Sequence, residues 1–343
     1  MNKLSKLLLL LLVISACAPK LPEFPPDHFE HTQEITPCLT IDLEDYDIYK
    51  PYNVLRYNNW YVFDDQEEKY RVKILSLDRT KTLRGISEGN GPFEVVGYIE
   101  LFIVGDSLYV DDVNHRKMIS VNIIGDSLTL FVKSYLNDKF NPFVVVDTNR
   151  FIESAYPTHP YLFRLIDSNA HVYSVSPIPP DGVISNMSER SQFSLYLNTL
   201  LTISPDKRKY AWGARHFPYY GFGRILDDSL YADNYLFYSK FEVGTVYDDL
   251  VIPKKESISN VLAAVSSDNY VAFLYSDNQY KDAAIFSGNN ILVYNWNGEP
   301  VLKLITKERL RTIFYDRDRK RLIGVTEMPQ GLLVEYDMNG ILD

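Results

Sequence analysis

The sequence predicts an all-β chain whose strands repeat as four-stranded antiparallel meanders and close into a six-bladed β-propeller. Three observations predict it. From Ile35 onward helical periodicity is scarce, and short runs of Val, Ile, Leu, Tyr and Phe are broken by Asp, Asn, Gly and Ser, which is strand and turn chemistry. One layout recurs at a period of roughly forty-odd residues, the self-similarity of a propeller or array. Aromatic residues make up 14% of the chain, with 26 Tyr and 18 Phe, and these side chains suit a pleated, half-buried surface.

The chain opens on a different pattern. Lys3 and Lys6 give a basic start, Leu7 to Ile14 is an unbroken apolar run, and small Ser15-Ala16 lead to Cys17. That is the layout of a secretory signal, with an apolar stretch too short to span a bilayer. The Ile14-Ser15-Ala16-Cys17 tail resembles a bacterial lipobox. The resemblance implies that residues 1–16 are removed and that Cys17 carries lipid at the head of the mature protein. Ala18 follows, with no Asp in that place, similar to Gram-negative proteins sorted to the outer membrane. Residues 17–34 hold four prolines among polar groups, so an extended tether is expected. The propeller is expected over 35–343.

Within that body the clearest unit lies between Tyr98 and Leu136, with turns at Gly105-Asp106-Ser107 and Gly125-Asp126-Ser127. Residues 52–87, 141–178, 258–305 and 310–342 repeat the layout, and 196–246 do so less regularly around Pro205-Asp206. Asn297-Gly298 between two strands is a strong hairpin signal. The last unit has three good strands. A spare strand over Ile35–Leu43 is expected to supply its fourth, which would join the two ends of the chain and remove an open edge.

The stretch Gly85-Ile86-Ser87-Glu88-Gly89-Asn90-Gly91-Pro92-Phe93-Glu94 resembles the Gly-x-Gly-Pro-Gly-Glu signature of a family of TolB-like six-bladed propeller lipoproteins of the Gram-negative envelope. Asp106 to Asp112 and the hairpin Asn295-Trp296-Asn297-Gly298-Glu299 are similar to further runs of that family. Phe93 stands where the family usually has glycine. The resemblance covers most of residues 40–342 and implies a fold and an envelope location, not an activity.

Charge and cysteine content narrow the partners. The net charge is −10 and the longest basic cluster is the mixed run Arg317 to Arg321, which argues against nucleic acid, whose binding needs phosphate neutralisation. Cys17 and Cys38 are the only cysteines. With Cys17 lipidated, Cys38 has no intramolecular partner and is expected to be a small buried hydrophobe.

In a propeller meander the loop between the second and third strands emerges on the same face as the loop between units. That places Asp112, Asn114, His115 and Arg116 of the second unit, His159 of the third, and Arg215, His216 and Tyr219 of the fourth on one rim. Glu88 and Glu94, between the first two units, open onto the same face. Loops on a rigid scaffold are where pockets form. The expected function is a monomeric, lipid-anchored binding module that recognises an envelope protein, peptide or glycan and needs no cofactor. The alternative is a metal-dependent hydrolase or lactonase at the channel mouth, its divalent metal held by His115, His159 and His216 with Asp112 or Glu94. The chain has no HExxH spacing and no Gly-x-Ser-x-Gly elbow. Gly89-x-Gly91-Pro92 lacks the helix and the Lys-Ser/Thr pair of a phosphate cradle. Asp106-Ser107-Leu108, Asp126-Ser127-Leu128 and Asp228-Ser229-Leu230 are similar to bacterial O-glycan acceptors, although turn chemistry alone accounts for them.

Overall fold

The computed structural model describes residues 24–66, 69–112, 114–115, 117–134, 143–147, 149–154, 161–167, 169, 171–179, 187–196, 199–238, 243–247 and 250–342. Strands β1 (Thr32–Ile35) and β2 (Leu39–Asp42) come first. Then β3 (Pro51–Tyr57), β4 (Trp60–Asp65), β5 (Val72–Ser76) and β6 (Thr82–Arg84) form a four-stranded antiparallel sheet. A short parallel pair, β7 (Ser87–Glu88) and β8 (Glu94–Val95), occupies the connection to the next sheet. That sheet holds β9 (Ile99–Val104), β10 (Ser107–Asp112), β11 (Lys117–Ile124) and β12 (Ser127–Ser134). Its two Gly-Asp-Ser turns form as the sequence predicts: Gly105 and Gly125 have φ of 56° and 57°, a left-handed conformation that glycine adopts without steric cost.

The third sheet holds β13 (Phe143–Val145), β14 (Arg150–Ser154), β15 (Phe163–Asp167) and β16 (Val172–Ser176). A short helix α1 (Glu189–Ser194) precedes the fourth, made of β17 (Leu200–Ile203), β18 (Lys209–Gly213), β19 (Tyr219–Leu226) and β20 (Ser229–Phe237). A hairpin of β21 (Val243–Tyr247) and β22 (Leu250–Pro253) follows. The remaining strands are β23 (Val261–Ser266), β24 (Tyr270–Tyr275), β25 (Gly288–Asn295), β26 (Pro300–Asp316), β27 (Arg321–Met328) and β28 (Gln330–Asp337).

These last strands depart from the six separate sheets expected. Among the described residues four four-stranded sheets stand alone, while β23 to β28 share one eight-stranded sheet with β1 and β2. The join is β26, which runs 17 residues. Its first half pairs with β25, Leu304 facing Ile291, and its second half pairs with β27, Phe314 facing Ile323. The segment between the halves, Thr306-Lys307-Glu308-Arg309, contains no Gly, Pro, Asn or Asp. With no residue to force a turn, the backbone stays extended.

The spare N-terminal strand is two strands, divided near Pro37, which has no amide hydrogen to donate to a ladder. β1 lies parallel to the first half of β26, and β2 pairs antiparallel with β28, Ile41 facing Leu333. The start and end of the folded chain therefore meet, as predicted. Of the residues expected in the tether, Pro25–His28 form a 3₁₀ turn and Phe29 is buried with its ring 5.0 Å from that of Tyr294. Cys38 departs from expectation. It is exposed beside an edge strand, and its thiol donates to the Glu335 carbonyl at 3.2 Å.

Core side chains fill the spaces between neighbouring sheets. Leu55, Val62 and Ile74 of the first sheet pack with Leu108, Val110 and Ile119 of the second. Val54, Tyr61 and Phe63 of the first also pack with Ile323, Val325 and Leu333 of the last. Trp212 and Tyr210 join the third and fourth sheets, and Tyr220 and Phe222 join the fourth to Phe273 and Tyr294. Each such aliphatic or aromatic side chain contributes about 1.5–3 kcal/mol by leaving water. Sheets packed face to face in this way make a propeller-like arrangement.

Candidate functional site

The innermost strands set the site. β3, β9, β17, β23 and the second half of β26 all run in one direction and line two cavities that share Asn53, Leu101, Phe102, Ala264 and Ile313 as walls. The cavity at the starts of these strands has a volume of about 260 Å³ and is bounded by Tyr52, Tyr98, Glu100, Arg215, Phe286 and Arg311. The cavity at their far ends, about 650 Å³, carries Arg56, Asp106, Lys207, Asp316 and Asp318. Arg215 comes from the β18–β19 loop and Phe286 from the β24–β25 loop. Loops between the second and third strands of two consecutive units thus border one mouth.

At the narrower mouth the polar groups are unevenly satisfied. The Tyr98 hydroxyl donates to Glu100 Oε1 at 3.1 Å, and the Tyr52 and Tyr98 rings meet edge to face at 6.0 Å. Arg311 lies over the Tyr52 ring, 5.1 Å from its centre, and forms an ion pair with Glu327. Arg215 differs. Its backbone carbonyl accepts from the Asn260 amide, but its side chain has no ion pair among the described residues and its buried Nε has no hydrogen-bond partner. Burial pushes the Glu100 carboxyl up to about 7, with Tyr98 and Arg215 pulling the other way. Asp111 faces Glu100 across the β9–β10 ladder and is also pushed up to about 7, by burial and by the charges of Glu100 and Asp112. Tyr98 and Phe286 keep 40% and 42% of their surface exposed, so two aromatic faces are open at a charged mouth.

A second cluster joins the connection between the first two sheets to the loop between β10 and β11. Asp112 accepts from the backbone amides of His115 at 3.0 Å and Val96 at 3.2 Å, and its Oδ2 is 2.8 Å from His115 Nδ1. Asn114 donates to the Val96 carbonyl at 2.6 Å. Glu94 accepts from the Gly91 amide at 2.7 Å, and Lys117 donates to the carbonyls of Gly91 and Glu94. Asp112, also 4.0 Å from the Lys117 ammonium, and Glu94 are thus occupied in holding backbone.

The predicted rim residues therefore divide. Glu94, Asp112, Asn114 and His115 come together in this loop cluster. Glu88 lies in β7, exposed, with its amide donating to the Lys69 carbonyl. Arg215 lines the axial mouth, while His216 Nδ1 bonds the Tyr280 hydroxyl, its imidazole pushed down to about 4 by burial and the neighbouring Arg215. Tyr219 is only 5% exposed and packs in the core against Tyr196 and Phe237, so it belongs to the interior, not to the rim. Arg116 and His159 lie outside the described residues, as does Cys17. Among the described residues no group of three His, Cys, Asp or Glu side chains is placed to hold a metal ion.

Tyr52, Tyr98, Glu100, Asp111, Phe286 and Arg311 were not among the residues predicted for the site. A signal for two of them exists: Glu100 and Arg311 are charged residues interrupting apolar strands, in Tyr-Ile-Glu-Leu-Phe-Ile-Val and Leu-Arg-Thr-Ile-Phe-Tyr, where only an inward channel or an edge accommodates charge.

No family model matches the chain, and no curated protein matches it. Solved structures do. An exported protein from Bacteroides fragilis aligns over 91% of this chain and 92% of its own at 9% identity, with a TM-score of 0.56. The Cps50 (Swd1) β-propeller domain from Myceliophteria thermophila aligns over 87% of this chain and 99% of its own at 13% identity, with a TM-score of 0.50. The fold is a β-propeller. At such low identity the likeness concerns backbone architecture, and the side chains at the mouth have to be argued from their own chemistry.

Proposed function

We propose that this chain is an exported, lipid-anchored binding module of six blades, similar to the TolB-like propeller lipoproteins. Four blades are the separate sheets. The other two share β26, whose first half is the outer strand of one and whose second half is the inner strand of the next, with β2 completing the latter. Lipid on Cys17 would tether the propeller to the envelope, on our reading at the outer membrane, and the protein would act as a monomer without a cofactor. The ligand is a protein, peptide or glycan of the envelope, taken at the narrow mouth of the channel.

One observation carries the binding reading: Arg215, whose buried Nε has no hydrogen-bond partner and whose side chain has no ion pair among the described residues, stands beside two open aromatic faces in a cavity formed by separate loops. Aromatic and Arg side chains are the usual anchors of binding surfaces. The test is capture from envelope extracts by the full-length lipoprotein in detergent, comparing wild type with Tyr98→Ala and Arg215→Ala. A component held by wild type and lost by both variants supports the reading. Equal capture by all three overturns it. Metabolic lipid labelling tests the anchor, since Cys17→Ser should abolish the label and release the protein from the membrane fraction.

A further inference from the structure

We infer that the narrow mouth of the channel takes a zwitterion, a free amino acid with an apolar or aromatic side chain, its carboxylate on Arg215 and its ammonium on Glu100. The inference rests on reading this mouth as the binding site, but replaces the protein, peptide or glycan proposed above with a small molecule of this charge pattern as its occupant.

The charges decide the class. Arg215 and Glu100 border the same cavity of about 260 Å³, and among the described residues neither forms an ion pair. Glu100 accepts one hydrogen bond, at Oε1 from Tyr98, which leaves Oε2 for a ligand donor. Asp111 lies behind Glu100 across the ladder and, when the two carboxyls are ionised, adds to the negative side. The other charged groups nearby are committed or neutral. Arg311 is held by Glu327 and the Tyr52 ring, and His216 is kept neutral by burial and by Arg215. An anionic ligand without an ammonium would meet Arg215 but be opposed by Glu100 and Asp111. A cationic ligand without a carboxylate would be opposed by Arg215. A molecule carrying both charges pairs each with its complement, and buried charges are tolerated when paired in this way. The guanidinium fork suits a carboxylate, and the open rings of Tyr98 and Phe286 supply apolar walls for the side chain.

The test is titration calorimetry of the full-length protein with phenylalanine, N-acetylphenylalanine and phenylalanine amide. Phenylalanine should bind at least tenfold more tightly than either blocked compound. Arg215→Gln should weaken phenylalanine by a similar factor while strengthening the amide, whose ammonium it no longer repels, and Glu100→Gln should weaken phenylalanine while strengthening the N-acetyl compound. Arg215→Lys, which keeps the charge, guards against a variant that fails to fold and should retain part of the affinity. Equal binding of the blocked compounds, or no heat from phenylalanine at millimolar concentration, overturns the inference. If phenylalanine fails while Arg215→Ala still abolishes capture from envelope extracts, the zwitterion falls and the binding reading stands. If capture is also unaffected, both fall.

Discussion

Glu100 on β9 and Asp111 on β10 stand directly opposite each other in the antiparallel ladder, so their carboxyls project on one face. Both are pushed up to about 7, burial being the larger cause in each case. Asp111 is only 6% exposed. Each carboxyl therefore keeps its proton in the folded protein at pH values where the unfolded chain has released it. The folded state binds more protons between about pH 4 and pH 7, so these groups lower stability as the pH rises through that window. Glu100→Gln or Asp111→Asn removes an ionisable group that is unfavourable when charged. At pH 8 either variant should be more stable than wild type by about 1 kcal/mol or more, and at pH 4 the difference should vanish. Urea unfolding at the two pH values checks this, and equal stability at pH 8 contradicts it.

Glu94 is held in a glycine cradle. Gly89 has φ of 152°, and a Cβ there would fall 2.2 Å from Glu94 Oε2. Gly89→Ala should cost about 1–3 kcal/mol, from backbone strain and displacement of the carboxylate. Part of that cost depends on Glu94 being present. Gly89→Ala should therefore cost less in a Glu94→Ala background, giving a coupling of about 0.5 kcal/mol or more in a double-mutant cycle. Strict additivity in urea midpoints would show that the cradle does not act on Glu94.

The loop cluster and the axial mouth were legible to different degrees for one reason. Hairpins are encoded locally, and Gly105, Gly125 and Asn297-Gly298 each mark a turn within a few residues of the strands they join. Asp112, Asn114 and His115 could be placed together because they are close in sequence. The mouth is assembled from five strands far apart in the chain, so the meeting of Arg215, Glu100 and Tyr98 around one cavity has no local signature. The fusion at β26 was hidden for the opposite reason, since a strand that fails to turn leaves no mark of its own. Tyr219 was misplaced because an aromatic residue at a strand entrance can face the rim or the core, and Tyr196 and Phe237 decide for the core.

Closure of the chain's two ends can be tested at Ile41. This residue of β2 is 4% exposed, faces Leu333 of β28, and packs with Val54 of the first sheet. Ile41→Ala should cost about 2–4 kcal/mol through lost burial and the cavity left behind. Thr40, its exposed neighbour on the same strand, provides the control, and Thr40→Ala should change stability by no more than about 0.5 kcal/mol. Equal effects in thermal or urea unfolding would mean that β2 does not seal the last sheet to the first.

His216 titrates with the opposite sign. Its Nδ1 bonds the Tyr280 hydroxyl, and burial holds that phenol far above its ordinary range, so Tyr280 keeps its proton and donates it. The imidazole must then accept at Nδ1 and carry its own hydrogen at Nε2. Burial and the adjacent Arg215 push its pKa down to about 4, from 6.5. Between those values the unfolded chain binds a proton that the folded protein refuses. The stability owed to neutral His216 is complete above pH 6.5 and is lost as the pH falls toward 4. His216→Gln should flatten that acid limb by about 1–3 kcal/mol across the window while leaving in place the fall toward pH 7 set by Glu100 and Asp111. Nitrogen NMR of the wild type should show a neutral ring protonated at Nε2 at pH 5.5. A charged ring at that pH, or an acid limb unchanged by the substitution, would mean that Arg215 does not have a neutral neighbour and that the positive charge at the mouth is larger than one.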